Sequence, residues 1–302
     1  MPPETASPRR PARSRGASAY LLVAVLSLIW GLAFVAVRDA DFQLSPTSVQ
    51  LARWLVASAG FIAVLPFLKP KVRFEGRDAP RLLAVAVLSV VAYGTALNYS
   101  ETTLSAGLAG LLVSLGPVFM AVFSVLVLKE RVRARLAYAL LLAVFGSVLL
   151  SVSDLSVTGS PVAGTLEAIL AALVYAGYAV LAKPLIEKYG ALPVMTWTAL
   201  SGTVFLLPLL SPGFVSQMSA LSPDGWASIL FLGLISNVIG YTLFYTLVGR
   251  GTLSSLSVQL YLVPVVSVVG GILILGEQLT LFTVLGGAAT LAAVGLSRAR
   301  KE

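Results

Sequence analysis

Ten apolar runs, each about twenty residues long and parted by short polar breaks, leave this chain of 302 residues little choice of fold. They fall at 19–38, 46–68, 81–100, 103–128, 134–153, 161–182, 191–211, 225–248, 252–275 and 280–298. A helix of that length matches the roughly 30 Å hydrocarbon core of a bilayer. Inside lipid every backbone N–H and C=O must find its partner within the protein, so such runs are helices. Composition leads the same way. The chain is 58% hydrophobic and 11% charged, where a water-soluble domain carries roughly 25% charge. The expected fold is an all-α integral membrane protein with ten transmembrane helices. Residues 1–18, rich in Pro, Ser and Arg, read as a disordered cytoplasmic tail. The first run is long and lacks a small-residue cleavage site, so it reads as an anchor and not a cleaved leader.

The net charge of +8 would point to nucleic acid in a soluble protein. Here the basic residues occupy the breaks between apolar runs. With the N-terminus in the cytoplasm and strict alternation, all of the 21 Lys and Arg except Arg38 and Arg53 fall on the inner side. Cytoplasmic loops are enriched in this way, so both termini are expected inside, with the bilayer as partner and no nucleic acid. Ten helices also suffice for a complete pathway in a monomer. The chain has no His and no Cys. That removes the commonest general base, metal ligand and thiolate. It also has no Gly-rich phosphate loop. A hydrolytic or metal-dependent enzyme and a self-contained ATP-driven pump are therefore excluded, and no cofactor or metal is expected.

The runs repeat. Pro117 and Pro264 stand 147 residues apart, and so do Glu130 and Glu277. Before each glutamate, small and polar residues step by three or four along one helix face. They are Gly107, Gly110, Ser114, Pro117 and Ser124 in one copy, and Ser254, Ser257, Tyr261, Pro264 and Gly271 in the other. Trp30 parallels Tyr175 at an offset of 145, and Tyr93 parallels Tyr241 at 148. Five helices per copy is an odd number, so the second copy must enter the membrane from the opposite side. The expectation is two inverted repeats, 19–153 and 161–298, forming one transport domain with a substrate site near the midplane.

Polar and aromatic side chains are expensive in lipid and mark pathways. The candidate substrate-binding set is Trp30, Tyr93, Ser114, Tyr175, Tyr178, Asn237, Tyr241, Gln259 and Tyr261. Tyr and Trp rings offer stacking with a polar edge, which suits an aromatic or apolar zwitterion. Pro117 and Pro264 are candidate kinks or gates, because a mid-helix proline removes a hydrogen bond. Glu167, about six residues inside its helix, is the candidate coupling carboxylate. Arg53 is the one basic residue at mid-membrane depth; a structural pairing with Asp39 or Asp41 is expected, ahead of a functional role, so no full charge pair serves the substrate there. Glu130 and Glu277 read as helix caps, braces or gate latches.

Several stretches together resemble the EamA-type members of the drug/metabolite transporter superfamily. They are Ala96-Leu97-Asn98-Tyr99-Ser100, Leu115-Gly116-Pro117-Val118-Phe119 and Leu128-Lys129-Glu130-Arg131-Val132, with Val263-Pro264-Val265 and Leu275-Gly276-Glu277-Gln278-Leu279 in the second copy. Trp30-Gly31 and Arg53 also match that pattern. In overall likeness the chain is most similar to the YddG-type aromatic amino-acid exporters. The second copy departs in having Gln278 opposite Arg131 and no counterpart of Arg53. The resemblance implies secondary export of amino acids or other small metabolites across a bacterial inner membrane. An exporter of drugs or toxic cations is the alternative within that class. A non-transporting scaffold or sensor is the alternative outside it.

Overall fold

All regular structure is helical among the residues described by the computed structural model, which are 13–67, 74–116, 118–119, 122–123, 134–153, 161–249 and 253–298. The helices are α1 (Arg13–Asp41), α2 (Pro46–Val64), α3 (Gly76–Thr103), α4 (Ala106–Val113), α5 (Ala134–Ser153) and α6 (Pro161–Tyr189). They continue with α7 (Ala191–Leu206), the short α8 (Phe214–Ser219), α9 (Pro223–Leu247), α10 (Leu253–Leu275) and α11 (Leu281–Arg298). Among the described residues, α1, α2, α3, α6, α7 and α9 each contain a stretch long and apolar enough to cross a bilayer. Shorter apolar stretches occupy Ala137–Leu150, Leu262–Leu275 and Leu281–Ala293. The protein is a multi-pass membrane protein.

Local chemistry sets the helix ends. Ser45 and Ser222 cap α2 and α9, accepting from Ser48 N at 3.4 Å and Gly225 N at 3.1 Å. In both, a proline follows the cap, where its missing N–H costs nothing. Ser105 caps α4 through Leu108 N at 3.3 Å. Gly276 ends α10 with φ +68°, a left-handed conformation that favours glycine.

Several boundaries differ from the sequence reading. Helix α1 begins at Arg13, inside the stretch expected to be a disordered tail. Once an apolar helix is nucleated, extending it by a turn is inexpensive. Helix α3 runs on to Thr103, so Glu101 is helical and not in a loop. Helix α6 continues past 182 to Tyr189 with Pro184 inside it. Helix α10 likewise continues through Pro264. Pro117 and Glu130 lie outside the described residues.

Extensively packed helix pairs include α5 with α11, α1 with α10, α3 with α6, α4 with α10, and α2 with α7 and α9. Each joins a helix from the first half of the chain to one from the second. Small residues allow the approach, as expected where lipid supplies no hydrophobic drive between helices. A Cβ on Gly146 would sit 2.7 Å from Thr290 Oγ1 and 3.0 Å from the Gly286 carbonyl. Gly31 of α1 meets Val266 of α10 just as closely.

Candidate functional site

Helices from both halves line a narrow cavity of about 60 Å³. Its wall comes from Trp30, Ala33, Phe34 and Val37 of α1, Arg53 of α2, and Tyr93 and Leu97 of α3. Gly110, Val113 and Ser114 at the end of α4, Tyr175 of α6, Ser236 and Tyr241 of α9, and Val263 of α10 complete it. Such a wall, mainly apolar with a few convergent polar groups, is typical of small-molecule sites.

Aromatic rings form a connected set on one side. Trp30 packs edge-on against Tyr241 at 5.2 Å and against Phe244 at 5.0 Å between ring centroids. Phe244 reaches Tyr175 at 5.8 Å, and Tyr175 meets Tyr178 at 5.4 Å. Tyr93 closes the set, 5.9 Å from Tyr178 and 6.1 Å from Tyr175. Trp30 Nε1 donates to the Ser236 carbonyl at 3.4 Å.

Two helices leave the regular α pattern beside the cavity. Val87–Ala92 of α3 and Phe231–Gly240 of α9 are π-helical. Ser89 and Asn237, which the repeat offset pairs, lie within them. Tyr93 and Tyr241 immediately follow them. π-Helical turns shift the backbone hydrogen-bond register and occur frequently at functional sites. Here Gln50 of α2 donates its Nε2 to the Val90 carbonyl inside one such turn. Asn98 holds Gln50 in place, donating to its Oε1 at 3.3 Å.

Arg53 departs most from expectation. It is 4% exposed and lines the cavity. Its Nη2 donates to Asn237 Oδ1 at 2.9 Å, tying α2 to α9. It makes no ion pair with Asp39 or Asp41, and Asp39 instead accepts from Ser228 Oγ at 2.7 Å. The mid-span charge read from the sequence thus stands in the cavity wall, without the expected partner. The helix at Arg53 turns the side chain inward, out of ion-pair reach of Asp39 and Asp41 in the last turn of α1.

One helical turn beyond Phe34, Val37 and Leu97 come Arg38, Asp41 and Glu101. The Arg38 guanidinium donates to the Glu101 backbone carbonyl. Both carboxylates are buried, and none of their oxygens has a hydrogen-bond donor among the described residues. Beside them, Glu277 accepts from Ala106 N at 2.7 Å and from Gly107 N at 3.2 Å. Glu101, in the last turn of α3, is thus a second helical acidic residue beside Glu167.

Of the residues chosen from sequence, Trp30, Tyr93, Ser114, Tyr175 and Tyr241 line the cavity. Tyr178 lies behind the lining in the aromatic set, and Asn237 lies behind Arg53. Ser114 Oγ donates to the Leu111 carbonyl at 2.6 Å, leaving its lone pairs for an incoming donor. Pro264 is buried in α10 next to the lining residue Val263. Glu167 is half-buried on α6, outside the lining. The side chains of Gln259 and Tyr261 lie outside the described residues, as does Pro117. Sequence reasoning passed over Phe244, Ser236, Gln50 and Glu101. Only Glu101 carried a readable signal, an ionisable residue next to a predicted span.

Known proteins resemble the chain along most of its length. A "probable terminal-alkyne amino-acid exporter" of Streptantibioticus cattleyicolor is 32% identical over 280 residues, covering 91% of this chain and 92% of that protein. An "uncharacterized transporter" of Archaeoglobus fulgidus is 30% identical over 268 residues, covering 88% and 94%. A solved crystal structure matches with a TM-score of 0.64 at 18% identity, covering 93% of this chain and 96% of that one, which shows a shared fold. The family model described as "EamA-like transporter family" matches twice, over residues 17–152 and 162–298. The chain belongs to the EamA-like transporter family.

Proposed function

We propose that the protein is a secondary transporter that exports small metabolites, foremost amino acids with aromatic or other apolar side chains. The observation that carries this reading is the aromatic-walled cavity enclosed by helices of both halves. A ring-lined wall with few polar groups suits a molecule that is apolar over most of its surface. The family membership supports transport, and one relative named as an amino-acid exporter supports the substrate class. Ten spans in two inverted repeats, 19–153 and 161–298, with both termini cytoplasmic in a bacterial inner membrane, would let the two halves exchange conformations around a fixed site. The pathway is complete in one chain, and the overall likeness to YddG-type exporters favours aromatic amino acids as substrates.

Full-length protein in proteoliposomes loaded with labelled phenylalanine, tryptophan, alanine and threonine tests the reading. Protein-dependent efflux with phenylalanine and tryptophan preferred is the expected result. Absence of efflux for all four would remove the amino-acid exporter and leave the scaffold or cation-exporter readings.

A further inference from the structure

Arg53 occupies an unusual position for a residue whose one hydrogen-bond acceptor among the described residues is a neutral amide. It is buried, lines the cavity and sits among Tyr93 and Tyr241. A guanidinium stays charged and offers five N–H donors. Nη2 is engaged by Asn237 Oδ1 at 2.9 Å, whereas Nε is buried with no acceptor among the described residues. Asp41 and Glu101 are its nearest acidic neighbours electrostatically, but among the described residues neither forms an ion pair with it. A buried charge with an open donor edge is costly to hold and is retained where something completes it.

We propose that Arg53 receives a carboxylate of the transported molecule, so that the site selects apolar or aromatic carboxylates and treats the amino group as dispensable. This rests on the transport reading above and narrows its substrate class. The Nε–Nη2 edge of a guanidinium matches the two oxygens of a carboxylate, and charge-assisted bonds of this kind are roughly twice as strong as neutral ones. Asn237 Oδ1 takes one of the two Nη2 hydrogens and fixes the guanidinium, which leaves the second Nη2 hydrogen and Nε–H for the carboxylate. Among the described residues no Asp or Glu lines the cavity. An ammonium group therefore meets only ring faces and hydroxyl or carbonyl oxygens, and it also meets the repulsion of Arg53. A cation lacking an acid group is disfavoured twice.

Three probes of one body separate the charges: L-phenylalanine, 3-phenylpropionate and phenethylamine. Trp30 in the cavity wall reports occupancy through the intrinsic fluorescence of the purified full chain. The two carboxylates should bind within about tenfold of each other, and phenethylamine at least about tenfold more weakly. Arg53→Lys should keep this order with weaker binding, and Arg53→Gln should abolish the preference for carboxylates. Equal binding of phenethylamine and phenylalanine, or no binding of either carboxylate, overturns the inference. So does an Arg53→Gln protein that folds and keeps the preference. If Arg53→Gln does not fold, the three-probe order in the unaltered protein decides alone. Carboxylate-selective binding without flux in proteoliposomes would sink the transport reading and spare this one. Amino-acid flux with no carboxylate preference would do the reverse.

Discussion

Glu277 accepts a hydrogen bond from the backbone N–H of Ala106 at 2.7 Å, and its second carboxylate oxygen accepts from Gly107 at 3.2 Å. The turn between α10 and α11 is thus fastened to the first turn of α4. The opening N–H groups of a helix have no partner within it, and their positive end attracts an anion. Gly276, in its left-handed conformation, lets the chain reverse at the end of α10 and present Glu277 to that end. Helix α4 then carries Gly110, Val113 and Ser114 into the cavity wall. A contact at one end of the bundle therefore fixes part of the site.

Glu277→Ala removes both acceptors at once. Loss of a helix cap costs about 1–2 kcal/mol. The variant should melt several degrees lower in detergent, and Glu277→Gln, which keeps one acceptor, should lie between it and the unaltered protein. Identical melting of all three would show that the cap contributes nothing.

The aromatic wall should set selectivity. Tyr93 and Tyr241 border the cavity and pack within the ring set. Replacing either with Ala removes a stacking surface and enlarges the cavity. Export of phenylalanine and tryptophan should slow more than export of alanine and threonine, by about 10-fold for a loss near 1.4 kcal/mol. Membrane levels of the protein should not change. Equal slowing of all four substrates would mean that these tyrosines serve the packing of the bundle.

Much of this was readable beforehand, for physical reasons. Apolar runs of membrane length require helices, so the helical class follows from Leu, Val and Ala alone. Trp30, Tyr93, Tyr175 and Tyr241 were legible because polar-edged rings mid-span are costly unless they face inward. Arg53 was visible as a mid-span charge, but its partner was not, because sequence spacing does not say which way a helix turns a long side chain. Phe244 was hidden because a phenylalanine beside a cavity and one facing lipid look alike in sequence. Glu101 was hidden by a boundary error of three residues, since helix ends carry weaker signals than helix middles.

At the helix ends, Lys188 links the last turn of α6 to Glu75, just before α3, and to Asp78 in the first turn of α3. Its Nζ lies 2.6 Å from Glu75 Oε1 and 2.7 Å from Asp78 Oδ2, and Tyr189 donates to Asp78 Oδ2 at 2.6 Å. The hydrogen bond from Lys188 holds the Glu75 carboxyl below its ordinary range. A depressed carboxyl contributes stability above its unfolded value and loses it as pH falls through the folded one. Melting temperature should therefore drop on acidification below the usual glutamate range, and Lys188→Gln should flatten that drop. High salt should flatten it too, because the pair is solvent-exposed. An acid-side slope unchanged in Lys188→Gln would assign it to other groups.

For an exporter driven by protons, a coupling carboxyl must communicate with the cavity and also with an aqueous face. Glu167 lies half-buried on α6 outside the cavity lining. Glu101 lies on α3 one turn beyond the lining residue Leu97, fully buried, with Arg38, Asp41 and Glu277 as charged neighbours. Its oxygens have no donor among the described residues, so a proton there is not competing with a fixed hydrogen bond. Glutamine keeps the shape and removes the charge. In proteoliposomes with an imposed pH gradient, Glu101→Gln should abolish accumulation against a substrate gradient while sparing exchange. Glu167→Gln should reduce accumulation less. The reverse order would return coupling to Glu167, as the sequence alone suggested. Uphill transport unchanged in both variants would mean that neither carboxyl carries the proton, and that the protein facilitates downhill flux.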